Sequence, residues 1–463
     1  MHTPLEHDSL ASLDRAVQRL SEGFASLPEA APAALDEAGT RVLLEVAERL
    51  HDNYPYFHPL YAGQMLKPPH PVARAAAALA DWINPNNHAL DGGRASSRLE
   101  KEAVAQIAAM FGWPQHLGHL TSGGTMANLE ALWVAGREHP GKRIVASRQS
   151  HYTHERISAV LGLPFEALDA DSQGRLSMAA LRQAIEQGDV GTVVATMGTT
   201  ATGSVDPLAE ILPLARRHGV RVHADAAYGG YFTLAASLDP ATRRHFDALP
   251  GVDSLVIDPH KHGLQPYGCG CVLFADPGVG RHYRHDSPYT YFSSNELHLG
   301  EISLECSRPG RAAVALWATQ RLMPLVPQGE LARGLDAGRA AALALHAHVC
   351  ASNRYVPGFA PELDIVVWAV RSRSASHASH LARRVFDEAA KRGLHLALAE
   401  LPVSFFDFAG AGMTANRATI TCLRSVMMKP EHREWLPRIA ALLDESTASA
   451  LASPAAVPAG SEP

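Results

Sequence analysis

The chain has 463 residues, 46% of them hydrophobic and 19% charged, with a formal net charge of −6. That length exceeds one simple core and calls for more than one domain in a chain of soluble, globular composition. The negative balance argues against nucleic acid as the main partner, and no apolar run is long enough for a membrane span. The start, Met-His-Thr-Pro-Leu-Glu-His-Asp, lacks the basic and apolar regions of a secretory signal. Five cysteines form an odd, sparse set that fits a reducing cytoplasm. Cys269 and Cys271 lack a second ligand pair at zinc spacing and read as strand residues, so no metal is expected.

Residues 1–60 read as an N-terminal helical segment. Apolar positions recur at helical spacing from Leu10 to Val17 and from Val42 to Val46, with a Pro/Ala linker over 28–35 between them. Residues 61–325 form the expected large domain. Leu99 to Phe111 is an amphipathic helix, 143–147 and 192–197 are strands, and a helix over 208–218 is closed by Gly219. Strands over 220–225, 253–258 and 270–274 follow. Strands alternating with helices predict a mostly parallel α/β sheet covered on both faces. A helix near 310–325 leads out to a smaller α+β domain over 326–445. Its strands fall at 364–370 and 417–423, with a helix near 379–392 between them. Residues 446–463, rich in Ala, Ser and Pro, read as a disordered tail.

The chemistry concentrates at the ends of these strands. Lys261 closes Asp253-Ser-Leu-Val-Ile-Asp-Pro-His-Lys, and Asp225 ends the strand Val220-Arg-Val-His-Ala-Asp. A lysine past one strand and a carboxylate at the end of another suit pyridoxal 5'-phosphate (PLP). The lysine would hold the aldehyde as a Schiff base, and the aspartate would keep the ring nitrogen protonated. Gly123, Gly124 and Thr125 stand directly before a helix, where backbone amides and the helix dipole can hold a phosphate; a plain glycine turn with an N-cap is the alternative. His151 follows the strand ending at Ser147 and can stack on a flat ring, or be an ordinary loop histidine. Thr199 and Thr200 follow the 192–197 strand, as oxygen donors to a ligand or as a cap. His260 can reach a phosphate and lower the pKa of the neighbouring Lys261 amine.

Assembled in order, these residues resemble the group II PLP-dependent amino-acid decarboxylases of fold type I, the aspartate-aminotransferase-like fold. The likeness runs through His58-Pro-Leu-Tyr-Ala-Gly63, Asn84-Pro-Asn-Asn87, Thr121-Ser-Gly-Gly-Thr125, Ser150-His151, Gly198-Thr-Thr200, His223-Ala-Asp-Ala-Ala227, Asp258-Pro-His-Lys261 and Ser303-Leu-Glu-Cys-Ser-Arg308. It implies a fold type I large domain with a smaller C-terminal α+β domain, and α-decarboxylation of an L-amino acid through a Schiff base and a quinonoid. It also implies that Ser122, Gly123, Gly124, Thr125 and His260 bind phosphate, that Ala227 lies under the ring, and that His151 stacks on its other face. Thr199 or Thr200 would hold the ring hydroxyl or the substrate carboxylate. His58 and Tyr61 look like substrate-pocket positions, and Arg308 matches a carboxylate-binding position or an internal ion pair. Tyr289 and Tyr291, in a loop over 286–294 that reaches a neighbouring subunit's site, are both candidates for the catalytic tyrosine. A homodimer with sites at its interface follows from the same resemblance. Two departures stand out: Met126 where Glu is common, and His154-Glu-Arg156 where many relatives have Ser and Lys. C–C lysis, decarboxylation-coupled oxidative deamination and decarboxylative condensation need the same lysine and aspartate and remain the alternatives. Intact Lys261, Asp225 and His151 argue against a non-catalytic scaffold.

Overall fold

The computed structural model describes residues 5–31, 34–284 and 297–452. The helices in chain order begin with α1 (Ser9–Glu22), α2 (Glu37–Leu50), α3 (Pro71–Asp81) and α4 (Leu90–Met110). Strand and helix then alternate: β1 (Leu117–Thr121), α5 (Gly124–Glu138), β2 (Arg143–Ser147), α6 (Thr153–Leu161), β3 (Phe165–Leu168), α7 (Met178–Glu186), β4 (Val190–Thr196), α8 (Leu208–Arg217) and β5 (Arg221–Asp225). After α9 (Pro240–Asp247) come β6 (Ser254–Ile257) and β7 (Gly270–Phe274), and α10 (Arg311–Leu322) leaves the large domain. The smaller domain comprises α11 (Glu330–Ala351), β8 (Tyr355–Pro357), β9 (Ile365–Val370), α12 (Ala375–Lys391), β10 (Ala397–Pro402), β11 (Thr419–Val426) and α13 (His432–Ala452).

The large sheet has the order β1-β7-β6-β5-β4-β2-β3. Strands β6, β5, β4, β2 and β3 are parallel, whereas β7 runs antiparallel to both β6 and β1. Two reversals cancel, so β1 points the same way as the parallel strands. Its C-terminal end, with Ser122 and Gly123 beyond it, therefore opens on the edge where β2, β4, β5 and β6 also end. That edge is where parallel α/β sheets build their ligand crevices. Strand β4 is buried along its whole length, as a strand covered on both faces must be.

The four-stranded sheet of the smaller domain is antiparallel, ordered β10-β11-β9-β8. It packs against α11 and α12, which α13 contacts in turn, around Trp368 and Tyr355. Polar contacts lock the two sheets together. Glu362 accepts from Val205 N at 2.8 Å and Thr242 Oγ1 at 3.1 Å, and Asp364 accepts from the Tyr228 hydroxyl.

The C-terminal boundary differs from the sequence expectation. Helix α13 continues past residue 446 to Ala452, and Ser446, Thr447 and Ala450 are buried. The small residues that suggested disorder are what allow close packing: Thr447 Oγ1 lies 2.9 Å from the Tyr355 hydroxyl, and Ser446 Oγ donates back to Leu442 O at 2.6 Å. No helix among the described residues is long and apolar enough to cross a membrane.

Candidate active site

A cavity of about 290 Å³ opens at the shared edge of the large sheet. Lys261 and Asp225, far apart in sequence, both line it, as do His151 and the turn from Ser122 to Thr125. Lys261 follows β6 through the turn 258–261, where its amide donates to Asp258 O at 2.9 Å. The amine reaches into the cavity with one-fifth of its side chain exposed, and Nζ lies 3.0 Å from Asp258 Oδ2.

Asp225 is the last residue of β5 and is buried. Its Oδ1 accepts from Ala227 N at 3.1 Å, and its Oδ2 lies 2.8 Å from His154 Nε2. Burial pushes the Asp225 carboxyl up. The His154 hydrogen bond and charge, with Lys261 and His223, more than offset this and hold it well below the usual carboxylate range. Asp225 is therefore an anion at neutral pH, ready to pair with a protonated ring nitrogen. Behind it, His223 is fixed between Asn128 Oδ1 at 2.8 Å and Ser254 Oγ at 2.9 Å, and burial lowers its pKa to about 3.

The anion cradle is built by close backbone approach. Gly124 opens α5, and a Cβ there would lie 2.6 Å from Asp258 Oδ2. Gly270, at the start of β7, pairs with Thr121, and a Cβ on it would lie 2.5 Å from Gly123 C. The first amides of a helix lack intrahelical acceptors and favour a phosphate. The Ser122 amide donates to Glu305 Oε2 at 3.1 Å. His260 lies beside the cradle, its ring 4.7 Å from that of Tyr267. Among the lining groups, Thr196 Oγ1, Asp258 Oδ1 and His260 Nδ1 are buried without a hydrogen-bond partner. A lysine amine, a carboxylate, an amide-rich turn and spare buried polar atoms fit PLP: aldehyde, ring nitrogen, phosphate and ring substituents each meet a complementary group.

His151 stands at the cavity with its Nδ1 2.8 Å from Thr153 Oγ1. Burial lowers its pKa, favouring the neutral ring that stacks well on an aromatic face. The two threonines are told apart. Thr200 lines the cavity. Thr199 is fully buried, with Oγ1 2.8 Å from Thr202 Oγ1 and accepting from Ser204 N at 3.1 Å, so it shapes the turn.

Three residues expected at the substrate do not line this cavity. Arg308 is buried in an ion pair, Nη1 to Glu100 Oε1 at 2.9 Å, and also bonds Leu120 O. Through Nη1 it ties α4 to β1, while its Nε and Nη2 are buried without a hydrogen-bond partner. His58 packs edge-on against Trp435 at 4.9 Å, with Nδ1 accepting from Leu60 N. Tyr61 is buried among Tyr54, Tyr56 and His395, with the Lys429 amine 5.2 Å from its ring centre. Tyr289 and Tyr291 lie outside the described residues.

Residues without an assigned role in the sequence also meet at the site. Asp258 holds the Lys261 amine. His154, visible only as a departure from the family pattern, touches Asp225. Arg424 reaches from β11 to Thr200 O at 2.6 Å and Ala201 O at 3.0 Å, with Gln64 Oε1 at 3.1 Å, bringing a buried guanidinium to the cavity's rim.

Residues 41–326 match the pyridoxal-dependent decarboxylase conserved domain. The chain belongs to the pyridoxal-dependent decarboxylase family. It is a PLP-dependent carboxy-lyase acting on amino acids. The probable L-tyrosine/L-aspartate decarboxylase of Methanothermobacter thermautotrophicus is 30% identical over 266 residues, covering 56% of this chain and 70% of that protein. The L-aspartate decarboxylase of Thermococcus kodakarensis is 28% identical over 282 residues, 60% of this chain and 71% of that one. Among solved structures, mouse CSAD in apo form superposes with a TM-score of 0.74 at 20% identity, over 94% of this chain and 98% of its own. Oryza sativa TDC with PLP and tryptamine gives 0.75 at 19% identity, over 97% and 99%. At these identities the structures establish the fold: a PLP decarboxylase architecture along nearly the whole chain.

Proposed function

We propose that this decarboxylase works through Lys261, Asp225 and His151, in a cytoplasmic homodimer whose large domain spans about residues 61–325 and whose smaller domain follows it. One observation supports the residue roles above all: Lys261 and Asp225 line one cavity together with the N-terminus of α5. Lys261 would hold the cofactor through its amine, Asp225 would face the ring nitrogen, and the 122–125 turn with His260 would hold the phosphate. When bound, PLP supplies an electron sink for the pair left on Cα as CO2 departs. Asp225 keeps that sink effective by remaining ionised against the ring nitrogen. His151 would cover the ring face, and Thr200 would offer a hydroxyl at the rim. The Lys261 amine would also be the base within the cavity able to return a proton. His151, Tyr289 and Tyr291 remain the candidates for the proton donor to Cα. Arg308 is better read as a structural ion pair, and His58 and Tyr61 as parts of the N-terminal packing.

The dimer is supported by helix α2. Val42, Leu43, Val46 and Leu50 are 58%, 56%, 46% and 60% exposed, an apolar face uncovered in the single chain. The names of the archaeal relatives make L-tyrosine and L-aspartate the first substrates to test. A panel of L-amino acids with CO2 detection, run on the wild type and Lys261→Ala, tests the reading. CO2 with the matching primary amine from wild type alone is expected. Undiminished CO2 release by Lys261→Ala removes it.

A further inference from the structure

His154 lies on α6 and is wholly buried. Its Nε2 approaches the Asp225 oxygen that the Ala227 amide leaves open, at 2.8 Å. Its other ring nitrogen has no hydrogen-bond partner. A buried imidazole with half its polar capacity unused is a poor choice for packing alone, since an apolar side chain would fill the space without that desolvation cost. The bond to Asp225 is what the imidazole adds.

We propose that His154 is a positioning residue that fixes the Asp225 carboxylate and keeps it ionised against the cofactor's ring nitrogen, a role that rests on the function proposed above. Four titratable groups face Asp225: His154 from α6, His151 from the turn before it, His223 from β5 and Lys261 from the turn after β6. Lys261 gives up its free ammonium when it holds the cofactor aldehyde. His223 is kept neutral by burial and is already engaged with Asn128 and Ser254. His151 belongs to the cavity side, and burial lowers its pKa. His154 alone both touches the carboxylate and stays in place whatever occupies the cavity. Without it, burial of Asp225 acts with much less opposition, and the carboxylate is neutralised at a higher pH as the medium is acidified.

The test compares full-length wild type, His154→Leu and His154→Gln, with PLP affinity measured by absorbance titration at about pH 8 and about pH 6. His154→Leu is expected to bind PLP about ten-fold more weakly than wild type at the higher pH, and about ten-fold more weakly again at the lower. His154→Gln keeps a donor for Asp225 but carries no charge, so it should recover affinity at about pH 8 and lose part of it at about pH 6. A packing role predicts the same loss at both pH values and no rescue by glutamine, and that result overturns the proposal. So does wild-type affinity in His154→Leu at both. If circular dichroism shows that His154→Leu does not fold, His154→Gln decides: an affinity ratio to wild type that is constant with pH overturns the proposal. Borohydride fixation followed by peptide mass mapping separates the two levels of inference. No cofactor on Lys261 of the wild type removes the proposed function itself. A labelled Lys261 with unmoved His154 variants removes only the role of His154.

Discussion

Gly270→Ala isolates the geometry of the phosphate cradle from its chemistry. Gly270 has no side chain to lose, and its backbone lies outside the positive-φ set, so alanine meets no conformational penalty. The added Cβ would lie 2.5 Å from Gly123 C, 2.7 Å from Gly123 Cα and 2.7 Å from Thr121 Oγ1. Backbone cannot rotate away as a side chain can, so either β7 separates from β1 or the 122–125 turn moves off the cavity. Overpacking of this kind costs about 1–3 kcal/mol. The sheet ladder resists separation through its paired register from Leu117 to Thr121, so the turn should give way. If the whole cost falls on the cradle, PLP affinity drops about 5- to 150-fold, while the apo protein keeps its melting temperature. Gly124→Ala is the contrast. Its Cβ meets the Asp258 carboxylate, which can swing aside, so a smaller loss is expected, accompanied by release of the Lys261 amine. The assay is a PLP titration beside apo and holo thermal melts. Wild-type affinity in Gly270→Ala would refute the reasoning, and so would a lowered apo melting temperature with affinity intact.

Arg308→Leu should destabilise the protein by about 3–5 kcal/mol by stranding buried Glu100. Urea unfolding reads the loss, and a raised KM without a stability change would restore the substrate role. Thr199→Val removes a buried hydroxyl with two partners and should cost about 1–3 kcal/mol of stability, whereas Thr200→Val should leave the urea midpoint alone and lower activity; the reverse pattern would mean the assignment of the pair is inverted. Stability should fall in acid. Burial depresses His223 and His432 to about 3 and His245 to about 4. These folded values lie below that of an unfolded histidine, so the stability present near neutral pH is lost as pH drops from about 6.5, by about 1.4 kcal/mol per pH unit for each. Asp206, raised by burial to about 7, and Asp364, raised to about 6, work in the opposite direction. The histidines outnumber them, and a urea midpoint that rises between about pH 7 and about pH 5 would contradict the balance.

What the sequence made legible were features that repeat locally. The sequence places strands β2 and β7 at both ends, and β4, β5 and β6 to within a residue or two, because their apolar runs are bounded by turns and followed by polar side chains. It does not place β1, β3, β8 and β10, since runs such as Phe165–Leu168 and Tyr355–Pro357 are too short and too mixed to show a period. Helix α12 starts four residues before the expected position because Ser374 caps it through His377 N at 3.4 Å, a signal outweighed by the polar run that follows.

At the site the division is the same. Lys261, Asp225, His151 and the glycine turn each end an element, so chain order alone brings them to one edge once the sheet is parallel. Arg308 and Thr199 stay open in the sequence for a single reason. Their residue types suit a ligand, and whether a guanidinium or hydroxyl faces a cavity or a buried neighbour depends on a partner elsewhere in the chain. Glu100 lies far upstream of Arg308, and Thr202 and Ser204 sit one turn beyond Thr199. His154 and Arg424 show the converse. Each acts on a group that the sequence did identify, but through a contact whose other end lies on a different element. Departures from a family pattern therefore carry information of their own. A histidine at an unaccustomed position on α6 has no meaning until β5 is laid beside it, and then it sets the charge on which the cofactor depends.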